Sequence, residues 1–286
     1  MNQLDWERMQ ENVTIESVIR GDAVSYNPSG YNLLGLTKLV SGLTGDITSN
    51  NGVYMTFRSY ASATSAATKT DAFIAYRCNT GTSLLNSPKN RDWDGDSVAW
   101  SAEDEMATTD SPVRFVRVAY CPIEQRSFEK IVVTLSDDGY IDAFLWDGTA
   151  WTVTNNIGFV GTTANAYRCF DVAYEKTSGD VLLAYSMAPS SNFQIAYKTW
   201  SFSSGWSNEN IYEIASGQAQ TAYWISMASK PTSGTNEIAV GIIGDTSRQD
   251  VYGLIWNGST FSSQQQLTDN ISIATEECIA VAYEQI

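Results

Sequence analysis

The chain has 286 residues, of which 43% are hydrophobic, 12% aromatic and only 17% charged, so it can bury a large core. Its formal net charge of −15 and its scattered Lys and Arg residues argue against nucleic acid as a partner, because phosphate binding needs clustered basic side chains. Histidine is absent, which excludes His-dependent catalysis and His-ligated metal sites. No apolar run of about 18 residues occurs, so no membrane span is predicted.

The first part of the chain carries no clear copy of the pattern that follows it. Residues 1–14 are a polar arm without a repeated element. Residues 15–48 contain two strand-like stretches, SVIRGDAVSYN and GYNLLGLTKLVSG. We expect this segment to supply strands to a composite unit, together with residues 274–286 at the other end of the chain.

From about residue 52 onward the chain is a repeat array. Its first marker is a set of tryptophans 53, 54 and 56 residues apart: Trp93, Trp146, Trp200 and Trp256. Each is followed, across a short polar turn, by a second aromatic residue: Trp100, Trp151, Trp206 and Phe261. A second marker, in RVAYCP, DVAYEK, SMASK and AVAYEQ, has the same period. The repeats are therefore placed at about 52–110, 113–165, 167–218 and 220–273.

Each repeat contains about four short strands, and the paired aromatic residues around a Gly, Ser, Asn or Asp turn are typical of a hairpin. A four-stranded unit of this length is typical of a β-propeller blade. The chain resembles a generic β-propeller repeat protein, which implies an all-β fold with residues 15–286 in one domain.

Closure of the ring concerns the two ends of the chain. The C-terminal stretch ATEECIAVAYEQI matches only the first strand of a repeat. We expect it to pair with strands from 15–48 and complete a fifth blade, because a ring must satisfy the edges that an open array exposes. The alternative is that the C-terminal strand of one copy completes the N-terminal blade of the next copy in a head-to-tail polymer.

The repeated tryptophans are the first candidate site. Trp93, Trp146, Trp200 and Trp256 could present indole rings on which sugar rings stack, one per blade, as in multivalent lectins. Alternatively they fill the wedge between neighbouring blades, since an indole can bury 150 Å² or more.

Alternating acids around Gly95 are the second candidate site. In DWDGDS, a tight loop could point Asp92, Asp94 and Asp96 at a hard cation, of which calcium is the natural choice. The segment resembles the calcium loop of FG-GAP propeller repeats, but it lacks the later Asp and the second Gly of that loop. Its alternative is a polar hairpin tip, as at Asp147 and Asn257.

A carboxylate glycosidase would need acids at the axis of the ring. The repeat alignment places Asp171 and Glu277 near this level as candidate catalytic residues. Arg117 and Arg168 lie nearby in the same alignment, so ion pairs are the alternative.

The cysteines and the glycosylation sequons carry weaker expectations. Cys169 and Cys278 are predicted to be small buried hydrophobes, with a Cys78–Cys278 disulfide as the alternative. Sequons at Asn12, Asn257 and Asn270 are compatible with an extracellular protein.

Taken together, these features predict a non-enzymatic, extracellular binding or adhesion module. It would recognise a glycan or a protein and need no cofactor, except for calcium if the acidic loop binds it. The alternatives are a structural subunit of a filament or virion, joined to its neighbours by exchanged terminal strands, and a carboxylate-dependent glycoside hydrolase.

Overall fold

The computed structural model describes residues 54–61, 68–77, 86–95, 97–187, 191–271 and 274–284. All of them belong to one compact unit, Thr44–Ile286. Their regular structure is almost entirely β-strand, with a single-turn helix α1 (Gly161–Ala164) and a 3-10 turn at Glu124–Arg126. The predicted all-β class is confirmed. No helix in this part of the chain is long and apolar enough to cross a membrane.

The described strands form four antiparallel sheets, each built from strands that follow one another in sequence. The first sheet contains β1 (Tyr54–Ala61), β2 (Thr68–Tyr76), β3 (Lys89–Asp94), β4 (Ala99–Trp100) and β5 (Asp104–Glu105). The second contains β6 (Val113–Tyr120), β7 (Lys130–Ser136), β8 (Tyr140–Trp146) and β9 (Trp151–Phe159). The third contains β10 (Phe170–Tyr174), β11 (Val181–Ser186), β12 (Phe193–Ser201), β13 (Gly205–Trp206) and β14 (Asn210–Ala215). The fourth contains β15 (Trp224–Ser229), β16 (Ile238–Ile243), β17 (Val251–Trp256) and β18 (Phe261–Thr268).

Each sheet is a meander of four strands, as the repeats predict. In the first sheet β4 and β5 both pair with β3, and in the third sheet β13 and β14 both pair with β12. Each of these short pairs therefore acts as one interrupted outer strand. The first strands of successive sheets lie beside one another, β1 with β6, β6 with β10 and β10 with β15. This arrangement confirms the resemblance to a β-propeller repeat protein.

In the second and fourth sheets, the hairpin between the third and fourth strands owes its shape to a short polar side chain followed by glycine. Asp147 Oδ1 accepts the backbone N–H groups of Thr149 and Ala150, at 2.7 and 2.8 Å. These bonds hold the pKa of the Asp147 carboxyl below its ordinary value. Gly148 has φ +97°, a conformation that favours glycine. In the fourth sheet the same turn is built from Asn257 and Gly258, which also has φ +97°.

The apolar faces of neighbouring sheets pack directly on one another. Between the third and fourth sheets, Leu182 and Ala184 meet Ile225 and Met227, and all four are buried. Similar clusters join the first sheet to the second and the second to the third. Because a sheet is stable only when its apolar faces are covered, each sheet depends on its neighbours.

The C-terminal segment, residues 274–284, lies on the outward face of the fourth sheet. Ile279 and Val281 lie so close to Gly241 that a Cβ added there would be 2.6 and 2.9 Å from their methyl groups. Tyr283 donates its hydroxyl to Glu237 Oε1 at 2.9 Å. The segment therefore covers the face on which a further sheet would pack.

Two predictions about the ends of the chain stay open. The composite blade includes residues 15–48, which lie outside the described part of the chain. A fifth blade and closure of the ring therefore remain predictions. Among the described residues, the C-terminal segment belongs to no sheet.

The cysteines divide into buried and exposed positions. Cys169 is buried as predicted, and so is Cys121, and burial raises the pKa of their thiols to about 12 and about 11. Cys278 is exposed, so its predicted burial is wrong: alternate residues of the C-terminal segment face away from the fourth sheet. Cys78 lies outside the described residues.

Candidate functional site

A cleft of about 540 Å³ opens between the first and second sheets. It is lined by aromatic side chains together with carboxylate, hydroxyl and ammonium groups: Asp92, Trp93, Asp94, Ser97, Ala99, Trp100, Ser101, Tyr120, Phe128, Lys130 and Trp146. The cleft therefore offers ring faces and polar groups in similar measure, a composition that suits a polar small molecule.

One wall is the hairpin between β3 and β4. Trp93 and Trp100 are cross-strand partners, and their ring centroids lie 5.5 Å apart at an interplanar angle of 56°. Ser101 extends the pairing, since its backbone N–H donates to Asp92 O at 2.8 Å and its Oγ accepts the Asp92 N–H at 3.0 Å. Strand pairing therefore fixes the positions of both indoles before any ligand binds.

The opposite wall belongs to the second sheet. Tyr120, Lys130 and Trp146 come from the adjacent strands β6, β7 and β8, and they lie at one level because both Tyr120 and Trp146 pair with Lys130. Phe128 precedes β7, packs against Gly148 and is 40% exposed. This wall therefore adds three aromatic rings to the cleft.

Lys130 lies at the boundary between the two sheets. Its ammonium donates to Asp92 Oδ1 at 2.6 Å and lies 4.0 Å from the centroid of the Phe73 ring. The rings of Tyr120 and Trp146 are 5.9 and 5.7 Å away. The Lys130 side chain is 8% exposed, whereas the Asp92 side chain is 52% exposed. The ammonium is thus enclosed by rings, and the carboxylate faces the cleft.

This ion pair is particular to the first interface. Lys130 pairs with the marker residue Trp146 of its sheet, and the residues that pair with the corresponding tryptophans of the third and fourth sheets are Val181 and Ile238. Both aliphatic residues are fully buried. A charged residue at this one position replaces a core residue of the other sheets.

The four predicted platform tryptophans differ in exposure. Trp93 and Trp146 are half-buried and line the cleft. Trp200 is 8% exposed and lies under the guanidinium of Arg126, at 5.6 Å from the ring centroid. Trp256 is 1% exposed and donates its indole N–H to Glu175 Oε1 at 2.7 Å. In this structure Trp256 packs as a wedge and presents no ring face to a ligand.

Two of the three predicted calcium ligands, Asp92 and Asp94, lie in the described part of the loop, and each accepts a hydrogen bond from another side chain. The Asp92 carboxylate accepts from Lys130, and Asp94 Oδ2 accepts the Ser97 hydroxyl at 2.8 Å. Asp96 lies outside the described residues. Among the described residues, no three Cys, Asp or Glu side chains are grouped as metal ligands. A calcium site at this loop stays a prediction.

The candidate catalytic acids take part in ion pairs. Asp171 is fully buried and forms a bidentate ion pair with Arg117, at 2.5 and 2.8 Å. It also accepts the backbone N–H of Met227 at 2.8 Å, so it ties the second, third and fourth sheets together. Glu277 accepts from Arg168, whose side chain is 2% exposed. These contacts favour the ion-pair alternative for both acids.

Sequence reasoning missed Lys130, Tyr120 and Phe128 as residues of the site. A signal for Lys130 was present, because the residues at its place in the other repeats are the aliphatic Ala72, Val181 and Ile238. The clustering of Tyr120 and Phe128 depends on how two sheets meet, which the repeat pattern does not specify.

Comparison with known proteins gives structural matches of low sequence identity. No protein-family model and no curated protein matches the chain. Among solved structures, the SapL1 lectin in complex with alpha methyl fucoside matches with TM-score 0.43 and 14% identity, over 74% of this chain and 62% of its own. The fucose-specific lectin from Aleuria aurantia matches with TM-score 0.39 and 12% identity, over 76% and 79%.

A glycosidase is also among the matches. The α-L-arabinofuranosidase Arb93A from Fusarium graminearum matches with TM-score 0.45 and 10% identity, over 76% of this chain and 66% of its own. The chain spans less than two thirds of the length of the SapL1 lectin. At this level of similarity the function of the chain has to be inferred from its own cleft.

Proposed function

We propose that this protein is a non-enzymatic carbohydrate-binding module that holds a sugar in the cleft between its first and second sheets. The observation that carries the proposal is the combination, in one opening, of half-buried indoles and exposed polar groups. Trp93, Trp100 and Trp146 offer apolar ring faces, while Asp92 and Ser101 lie beside them.

Sugars need both kinds of group. The C–H face of a pyranose packs on an aromatic ring, and its hydroxyls need hydrogen-bond partners when they leave water. A carboxylate accepts hydroxyl protons, and Ser101 Oγ, which donates to Ala102 O at 2.9 Å and accepts the Asp92 N–H, keeps one lone pair as an acceptor. Asp92 lies on β3 and Ser101 directly follows β4, bonded to the Asp92 backbone, so both are held in place and less entropy is lost on binding.

The low number of catalytic groups in the cleft favours binding over hydrolysis. A glycosidase of the usual kind needs two carboxyl groups on either side of the scissile bond, one of which donates a proton. Asp92 and Asp94 lie on the same strand, and Asp92 is paired with an ammonium. Asp171, the buried candidate, is held by Arg117 and the Met227 N–H. If the protein is nevertheless a glycosidase that uses Asp171, Asp171→Asn should abolish turnover.

We also propose that the protein is displayed outside the cell, where its sequons can carry glycans. Asn257 and Asn270, the asparagines of two sequons, are exposed. A glycan at either position would leave the cleft open, because neither residue lines it. Mass spectrometry of the natively produced protein before and after deglycosylation tests this extension.

The direct test is a glycan array followed by calorimetric titration of the wild type, Trp93→Ala and Trp206→Ala. Trp206 is the matched control, because it is half-buried and follows the marker tryptophan of the third sheet but does not line the cleft. We expect Trp93→Ala to weaken binding at least tenfold, about 1.4 kcal/mol, and Trp206→Ala to leave it unchanged. A wild type that binds no glycan, or equal losses in both variants, would refute the proposal.

Calcium is examined in the same titration. Because Asp92 is paired with Lys130, we expect the affinity to be unchanged when EDTA is added. Loss of binding in EDTA that is restored by calcium would instead support the acidic-loop prediction.

A further inference from the structure

The charges of the cleft are not equally accessible to a ligand. Lys130 is 8% exposed and is enclosed by three rings, while Asp92 is 52% exposed and Asp94 is also exposed. A bound molecule would therefore meet carboxylates first. The ammonium lies behind Asp92 and neutralises only part of this negative charge.

The ion pair also determines how Asp92 is oriented. Lys130 holds Oδ1, which leaves the second carboxylate oxygen for a donor from the ligand, and no described residue donates to that oxygen. The aromatic rings around Lys130 restrict the ammonium, so the carboxylate is positioned by a group that itself has little freedom. Without the ammonium, the exposed Asp92 side chain would exchange among several rotamers.

We propose that Lys130 is a positioning residue which aims Asp92 into the cleft, and that the resulting surface selects uncharged sugars over sugars that carry a carboxylate. This inference rests on the proposed function. A neutral sugar donates a hydroxyl proton to Asp92, whereas a uronate or a sialic acid brings a like charge toward two carboxylates. The net charge of −15 on the whole chain adds to the repulsion of anionic ligands.

The repeats themselves indicate a variant that removes the ammonium while preserving the fold. Ile238 occupies the place of Lys130 in the fourth sheet, where it is fully buried opposite Trp256. Lys130→Ile therefore introduces a residue that this position of the repeat already accepts. Lys130→Arg keeps a cation that can bind Asp92, and Lys198→Ile removes a half-buried lysine outside the cleft.

The experiment compares, by calorimetry, neutral methyl glycosides with the methyl glycosides of the matching uronates, whose carboxylate is free. The pairs are glucose with glucuronate and galactose with galacturonate. For the wild type we expect the neutral sugar of the preferred pair to bind at least about tenfold more tightly. Lys130→Ile should weaken binding of the neutral sugar about tenfold, Lys130→Arg should largely restore it, and Lys198→Ile should have no effect. Circular dichroism and urea unfolding confirm that each variant is folded.

The Asp92→Asn variant tests the selectivity for neutral sugars separately from the positioning role of Lys130. This variant removes the exposed charge, and we expect it to narrow the preference for the neutral sugar by about tenfold. A wild type that binds both members of a pair equally, or a preference that Asp92→Asn leaves unchanged, overturns the selectivity but not carbohydrate binding. A folded Lys130→Ile with wild-type affinity overturns the positioning role. If neither sugars of these pairs nor any glycan of the array binds, the proposed function itself fails.

Discussion

The interface between the first and second sheets and the interface between the third and fourth are built from the same repeated residues with opposite results. At the first, Trp146 is half-buried beside an open cleft. At the other, Trp256 is 1% exposed and closes the wedge. The residue that pairs with the tryptophan is Lys130 in one case and Ile238 in the other.

The comparison shows how a substitution at one position of the repeat, Lys130 in place of Ile238, leaves an open surface where the other interface is packed. A buried ammonium needs a counter-ion and is stabilised by aromatic faces. The neighbouring sheet supplies the counter-ion and the ring of Phe73, and the sheet of Lys130 itself supplies the rings of Tyr120 and Trp146. Asp92 supplies the counter-ion, whereas Thr199 occupies its place in the third sheet, with the same pair of hydrogen bonds to a following serine. An aliphatic residue has no such needs, and the indole closes over it.

The largest expected effect is a difference in the free energy of unfolding between two variants, Trp256→Ala and Trp93→Ala. Trp256→Ala should lower the free energy of unfolding by about 3 to 5 kcal/mol, since it removes a buried indole and leaves Glu175 without its N–H donor. Trp93→Ala should cost about 1 kcal/mol, because its half-buried ring already lines an open cleft. Urea unfolding of both variants measures the difference, and equal losses would show that the two interfaces do not differ as described.

A smaller effect is expected from removal of the C-terminal segment, which covers the outward face of the fourth sheet. Deleting residues 275–286 exposes the surface under Ile279 and Val281 and removes the Glu277 partner of buried Arg168. We expect a loss of about 3 kcal/mol in a protein whose oligomeric state is unchanged by the deletion. Size-exclusion chromatography and urea unfolding check this. A protomer of unchanged stability that loses its ability to assemble would instead favour strand exchange between copies.

The smallest effect concerns pH at the closed interface. Burial raises the pKa of the Glu175 carboxyl above its ordinary value of 4.5, although hydrogen bonds from Ser178 and Trp256 oppose the shift. Its protonated form is favoured in the folded state, so its contribution to stability is complete below pH 4.5 and is lost as the pH rises through the raised pKa. Glu175→Gln keeps an acceptor for the Trp256 N–H but does not titrate. The free energy of unfolding of this variant should therefore fall less between pH 4.5 and pH 7 than that of the wild type.

The matched control for that measurement is Glu124→Gln, which changes an exposed carboxyl in the 3-10 turn. Asp142 and Asp180 also have raised pKa values, so only the difference between variant and wild type is informative. Parallel pH profiles for Glu175→Gln and the wild type would contradict the role given to burial at this interface.

The fold was largely predictable from the sequence because its information is local and repeated. Aromatic pairs around Asp147 and Asn257 identify hairpins, and their period identifies successive sheets. The position of Trp256 in its strand was equally visible, and its burial is the wedge alternative of the sequence analysis. Which of the four tryptophans is buried was not visible, because burial depends on what the adjacent sheet presents. The cleft was hidden for the same reason: Asp92 and Lys130 are 38 residues apart and meet only across two sheets.

The double variant Asp92→Thr/Lys130→Ile tests the central claim most directly, because it gives the open cleft the residues found at the closed interface, Thr199 and Ile238. Calorimetry with the best neutral glycan from the array is the measurement. Our account predicts a folded protein whose affinity falls at least about tenfold. A folded double variant that binds this glycan as tightly as the wild type would contradict it.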